Sequence, residues 1–206
     1  MHRVTSSQTK QTTRTAEQIL DVAERLAQTR GFNGFSYADV SDELGITKAS
    51  LHYHFRTKAE LGRQLIARYS LVFRGILEEI ELGTTGEAAM VDRYVKVYAD
   101  VLRGQRMCLC GMLAAEYTTL PEAMQSEIRR FFDLNEEWLT TIFERGRASG
   151  ELAFEGPARD VANLLLGTLE GAMLVARSYG DVQRFEAVAA RLVGGMKPPL
   201  RPRSTA

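Results

Sequence analysis

The chain has 206 residues, 45% hydrophobic and 25% charged, values that suit a soluble globular protein of one or two domains. Its formal net charge is zero, its two cysteines cannot build a disulfide framework, and no apolar run approaches the roughly 18 residues needed to cross a bilayer. The polar start, MHRVTSSQTKQTTRT, lacks the apolar core of a secretory signal, so the cytoplasm is the expected location and no membrane partner is expected.

The neutral total hides a segregated distribution. Residues 1–16 carry Arg3, Lys10 and Arg14 with no acid, and residues 46–59 carry Lys48, Arg56 and Lys58, again with no acid. Cations concentrated in two short segments suit a local polyanion contact, although a solvated charge run reads the same way. Residues 1–14 are expected to form a flexible basic arm or a plain frayed tail.

Helix signals begin at Thr15, which with Gln18 has the spacing of a capping box, and Ile19, Leu20, Ala23, Leu26 and Ala27 recur at helical spacing up to Gly31. Phe32 and Phe35 flank Gly34 in a short link. Ser36 and Asp39 predict a capped helix over Tyr37 to Leu44, and Gly45 predicts its left-handed end. Thr47 predicts the cap of a third helix from Lys48 to about Phe55. Thr57 with Glu60 opens a long amphipathic helix carrying Leu61, Leu65, Val72, Ile76 and Ile80. Beyond Gly83 the pattern predicts helices near 87–103, 107–119 and 121–146, one from Pro157 to about Ser178, and a last one capped by Asp181 and ending near Gly194. Nine helices and almost no strand signal define an all-α fold, followed by a proline-rich, disordered tail over 199–206.

The informative stretch runs from Tyr37 to Phe55. Two short helices joined through Gly45, Ile46 and Thr47 make a helix-turn-helix, with Val40, Leu44, Ile46 and Leu51 holding the helix angle. The second helix presents Lys48, Ala49, Ser50, His52, Tyr53 and His54 without a carboxylate. Such a helix fits a major groove about 12 Å wide, its N-terminal residues nearest the base edges.

The run GITKASLHYHFRTKAEL, Gly45 to Leu61, together with Phe35 to Ser41, resembles the signature of the TetR/AcrR family of bacterial transcriptional repressors. The specific likeness covers about residues 15–65. It departs from the family pattern at His52, where tyrosine is usual, and at Ser41, where alanine is usual. The resemblance implies an N-terminal three-helix DNA-binding domain over 1–60, a long connecting helix, and a helical ligand-binding and dimerisation domain over 61–198. It also implies that Lys48, Ala49 and Ser50 read base edges, while Thr47, His52, Tyr53, His54 and Lys58 hold phosphates of a double-stranded DNA operator.

In the C-terminal part, Tyr94, Tyr98, Glu116, Phe131 and Trp138 are candidates to line an effector cavity, although aromatic stripes at helical spacing equally make a core. Leu164, Leu165, Gly167, Thr168, Gly171, Ala172 and Val175 form a broad face suited to a homodimer, or to close packing inside the subunit. The segment from Cys108 to Glu116 resembles the sixth helix of family members that sense electrophiles or oxidants. Cys108 in a first helical turn, downstream of Arg103 and Arg106, is either a reactive thiol and effector site or a small core residue. Cys108 and Cys110 are turned about 200° apart on a helix, so no internal disulfide is expected.

The expected function is therefore a ligand-responsive repressor that binds a palindromic operator as a dimer and is released by a small-molecule effector. Neither cofactor nor metal is expected. A constitutive DNA-binding module without effector is the alternative, although some 140 further residues exceed what dimerisation requires. An enzyme is disfavoured: H-E-x-x-H, the phosphate loop and the G-x-S-x-G elbow are absent, and a site would rest on Glu116, Tyr117 or Arg177.

Overall fold

The computed structural model describes residues 6–198, and it is helical throughout: among these residues nine α-helices and one 3-10 turn account for the regular structure. In chain order they are α1 Ser6–Arg30, α2 Tyr37–Leu44, α3 Lys48–His54, α4 Lys58–Leu82, α5 Glu87–Arg103, α6 Leu109–Ala115, the 3-10 turn Tyr117–Thr119, α7 Glu122–Ser149, α8 Ala158–Tyr179 and α9 Val182–Gly194.

The caps expected for the helix-turn-helix are present. Ser36 and Asp39 close a reciprocal capping box, Gly45 ends α2 in the left-handed conformation at φ 64°, and the Thr47 hydroxyl oxygen accepts the Ser50 N–H at 3.1 Å. Two other expectations are corrected. α1 begins at Ser6, so Thr15 lies inside it and caps nothing. Neither glycine nor proline interrupts residues 6–14, and the helix simply continues through the expected arm, including Arg14. Arg3 and the tail 199–206 lie outside the described residues. The helix expected over 107–119 is also split. Pro121 holds Leu120 extended, at φ −86° and ψ 147°, so the run tightens into the 3-10 turn instead of continuing.

Packing divides the chain into two compact units, Met1–Leu71 with Cys108–Arg130, and Val72–Met107 with Phe131–Ala206. The expected boundary after residue 60 did not anticipate that α6 and the start of α7 fold with the helix-turn-helix. In the first unit α1 packs on α2 and α6, and α2 on α3, around Ile19, Leu26, Phe32, Phe35, Val40, Leu51, Phe55, Leu61 and Leu65. Arg68 on α4 reaches Asp21 and Glu24 of α1 at 2.7 and 2.8 Å. In the second unit α8 and α9 pack on each other and on α5, over a core containing Phe73, Tyr94, Phe131, Phe143, Leu165 and Phe185. Among the described residues no helix is long and apolar enough to cross a membrane, and no cluster of His, Cys, Asp and Glu has a metal-binding arrangement.

Candidate nucleic-acid interface

α3 is short, seven residues, and its orientation is fixed by one apolar side chain and one hydroxyl. Leu51 is fully buried under the helix. The Tyr37 hydroxyl, at the start of α2, donates to the Phe55 carbonyl at the end of α3, 2.9 Å away. Burial, with a smaller push from the Glu60 charge, raises the Tyr37 pKa to about 12, so this donor keeps its proton at any working pH. Ser41, the residue in the usual alanine place, is buried, and its hydroxyl donates to the Tyr37 carbonyl at 2.7 Å. The hydroxyl is thereby satisfied inside α2 at no cost to the packing.

The opposite side of α3 is open. Lys48, Ala49, His52 and Tyr53 are exposed, Tyr53 at 76%, while Ser50 and His54 are half-buried. The Tyr53 ring stands edge-on to His54 with centroids 5.3 Å apart. Burial lowers the His54 pKa, favouring the neutral ring. His52 lies against the Tyr37 ring, centroids 4.9 Å apart, with Nδ1 at 3.2 Å from the Arg56 carbonyl. With its proton on Nδ1 for that bond, His52 offers Nε2 as an acceptor and becomes a second donor only on protonation. A cleft of about 480 Å³ opens beside the helix, lined by Phe35, Ser36, Tyr37, Ala38, Lys48, His52 and Lys58. Ser36 and Tyr37 line it although the sequence marks them only as the cap and the first residue of α2.

Lys58 has partners other than those expected. Its ammonium donates to the carbonyls of Phe32 and Phe35, and sits over both rings at 4.5 and 4.4 Å from their centroids. Burial pushes its pKa down, while the carboxylates of Glu116 and Asp39 pull it up. A lysine turned inward to two carbonyls and two aromatic faces holds the α1–α2 loop rather than reaching for a phosphate.

Glu116 is likewise corrected. Its carboxylate accepts the N–H groups of Phe32 at 2.8 Å and Asn33 at 3.2 Å, and the Asn33 amide donates to the Thr119 hydroxyl at 2.8 Å. Gly31, at φ 83°, brings the loop so close that a Cβ there would collide with the Glu116 carboxylate. Glu116 therefore serves the DNA-reading unit.

Cys108, in the same unit, is the N-cap of α6 rather than a first-turn residue, with Sγ accepting the Gly111 N–H at 3.5 Å and only 2% exposure. Neither cysteine is in a disulfide, and both are buried. In the second unit, the remaining candidates do come together. Tyr94 stacks on Trp138 at 5.5 Å, its hydroxyl donates to Asn135 Oδ1 at 2.8 Å and lies 3.1 Å from that of Tyr98, and Asn135 donates to the Phe131 carbonyl. The Trp138 indole N–H is buried without an acceptor. Asn135 is the polar centre of this cluster, and helical periodicity could not single it out among polar residues.

Of the face expected on α8, Leu164 and Val175 are 55% and 53% exposed, and Gly167 and Gly171 face open space. Thr168 and Ala172 are half-buried between them. Leu165 is corrected: it is fully buried in the subunit core.

An exposed, carboxylate-free helix held by a capped turn in an otherwise helical chain defines a helix-turn-helix DNA-binding protein. Residues 19–65 match the family model "Bacterial regulatory proteins, tetR family", and residues 88–192 match "Tetracyclin repressor-like, C-terminal domain". The HTH-type transcriptional repressor NemR of Escherichia coli (strain K12) is 28% identical over 184 residues, 86% of this chain and 92% of that protein. A TetR-family transcriptional regulator from Agrobacterium tumefaciens superposes with a TM-score of 0.88 at 33% identity, covering 91% of this chain and all of that one. A TetR transcriptional regulator from Legionella pneumophila gives a TM-score of 0.78 at 27% identity, over 96% of this chain and all of that one. The chain belongs to the tetR family of bacterial regulatory proteins, and is a DNA-binding transcriptional regulator.

Proposed function

We propose that the chain is a cytoplasmic repressor, without catalytic activity, that binds a palindromic operator as a homodimer and is released by a small-molecule effector. The observation that carries this reading is α3, whose open face holds Lys48, Ala49, Ser50, His52 and Tyr53 and no carboxylate. Lys48, Ala49 and Ser50 read base edges; Thr47, Tyr53 and His54, and His52 in its protonated form, fix the duplex through phosphates. The exposed stripe of Leu164, Gly167, Gly171 and Val175 on α8 supports a second copy as partner, since its glycines admit a close helix. The Tyr94, Tyr98, Phe131 and Trp138 cluster, with a buried indole N–H lacking an acceptor, supports an effector site in the second unit. The direct test is selection of random DNA with purified protein. Half-sites in inverted repeat, spaced about 34–36 Å or a multiple of it, are expected; enrichment of no inverted repeat overturns the reading.

A further inference from the structure

The open face of α3 carries one imidazole, His52, beside Lys48, Ala49, Ser50 and Tyr53. We propose, resting on the operator reading, that each subunit takes up a proton from solvent at His52 when it binds DNA. Operator affinity then falls as the solution becomes alkaline.

Geometry is the first argument. Nδ1 of His52 lies 3.2 Å from the Arg56 carbonyl, and a carbonyl can only accept, so in the neutral ring the proton sits on Nδ1. Nε2 then holds a lone pair. A phosphate oxygen is an acceptor too, so the neutral ring makes no direct bond to it. Protonation puts an N–H on Nε2 and leaves the Arg56 bond intact. The other neutral tautomer could reach a phosphate only by setting a lone pair against the Arg56 carbonyl. The Tyr37 ring, with its centroid 4.9 Å away, holds the imidazole from the other side, at the wall of the cleft of about 480 Å³ beside α3.

Charge is the second. Lys48 of α3 and Lys58 of α4 line the same cleft, and Arg56 lies in the link between those helices. Tyr37 of α2 keeps its proton and is neutral. The Glu60 carboxylate of α4 accepts the Arg56 N–H at 3.1 Å, and Asp39 of α2 is committed to Ser36 and Arg30. Cations thus outnumber carboxylates around the ring, and a phosphate brought to Nε2 is the added negative charge that favours an imidazolium.

The neighbouring histidine is the third. His54 is half-buried, and burial favours its neutral ring, so the two imidazoles of α3 do not share the task. A phenol at the place of His52, the residue usual in the family pattern, would donate at any pH below about 10. An imidazole there makes the same contact conditional on a proton.

The DNA-bound state holds the proton more tightly than the free protein. The gain in affinity is therefore whole at acid pH and is lost as pH rises through the titration of the bound state, within the range of roughly pH 5 to 8 where imidazoles change charge. Reciprocally, DNA must move the His52 titration upward.

The test uses the full chain and a labelled duplex carrying the inverted repeat enriched by selection. Affinity is read by fluorescence anisotropy across roughly pH 5.5 to 8.5 at constant ionic strength. It should fall by up to about tenfold per pH unit for each subunit, and calorimetry in buffers of different ionisation heat should count up to one proton taken up per subunit. His52→Tyr should flatten the profile and abolish the uptake, while His54→Gln should keep the slope. Should His52→Tyr not fold, ring signals of the unaltered protein decide: the duplex must raise the NMR titration midpoint of His52. A flat profile in the unaltered protein, an undiminished slope in folded His52→Tyr, or a midpoint unmoved by the duplex would overturn the proposal. Tight binding with a flat profile leaves the operator reading standing, whereas a selection that enriches no repeat removes both.

Discussion

The carboxylate of Glu116 accepts the backbone N–H of Phe32 at 2.8 Å, although the two residues are 84 positions apart in the chain. This bond and its neighbour to Asn33 tie the segment after α6 to the loop that launches the helix-turn-helix. Glu116→Ala leaves two loop amides without their acceptor and should cost about 1–3 kcal/mol, a fall in melting temperature of roughly 2–4 °C per kcal/mol. Hydrogen exchange should accelerate at Phe32 and Asn33 before anywhere in α5 or α8; unchanged protection at those two amides would contradict the latch.

The inward ammonium of Lys58 separates two roles that are easily confused. Lys58→Met should lower stability by about 1–3 kcal/mol, because the Phe32 and Phe35 carbonyls lose a charged donor. The salt dependence of operator binding should stay nearly unchanged. Arg56→Ala, by contrast, removes an exposed cation beside α3 and should reduce that slope by about one per subunit. A full unit of slope lost with Lys58→Met would return Lys58 to the phosphate-binding set.

Asp39 gives the helix-turn-helix an acid limit. The Ser36 hydroxyl and then the Ser36 N–H, at 2.7 Å, hold its carboxyl below the usual range. The unfolded chain therefore binds the proton first as pH falls. The stabilisation is complete above the ordinary aspartate pKa and is lost as pH drops through the folded value. Titration of the Asp39 carboxyl by NMR should show the depression, and Ser36→Ala should bring the midpoint back toward the ordinary one.

Adjacent leucines on α8 should behave oppositely. Leu164→Arg places a charge on the exposed stripe and should yield folded monomers by sedimentation, with operator affinity reduced. Leu165→Ala opens a cavity in the core and should cost about 2–5 kcal/mol while the remaining folded protein stays associated. Folded dimers from Leu164→Arg would move the partner surface elsewhere.

Cys108 has both the cap position and the burial of a structural residue. Alkylation by iodoacetamide should be slow in the native protein and fast after unfolding. Cys108→Ser should respond to a quinone as the unaltered protein does in an operator-release assay; release abolished by the substitution would make the thiol the sensing group.

What was readable in advance follows the range of each interaction. Ser36 with Asp39, Gly45, and Thr47 with Ser50 act within four residues, so spacing alone locates the turn. The exposed start of α3, Lys48 and Ala49, follows from the same local pattern. Glu116 with Phe32, and Lys58 with Phe35, are joined by tertiary folding, and no periodicity marks them. Leu165 was misplaced because helical spacing identifies an apolar stripe but not which edge of it meets the subunit core. The start of α1 was misplaced because Thr15 satisfies a cap pattern while nothing before it stops a helix.

The chain has a single tryptophan, and it stands in the second unit, ring to ring with Tyr94. Red-edge excitation therefore lights only Trp138, and its emission reports on the surroundings of Asn135 and Tyr98 while remaining blind to α2 and α3. The seven tyrosines are spread over both units, Tyr37 and Tyr53 in the first and Tyr94 and Tyr98 in the second, so their emission follows the melting of both. Without any attached dye, the two colours can be followed through one melting curve to learn whether the units let go together or in turn.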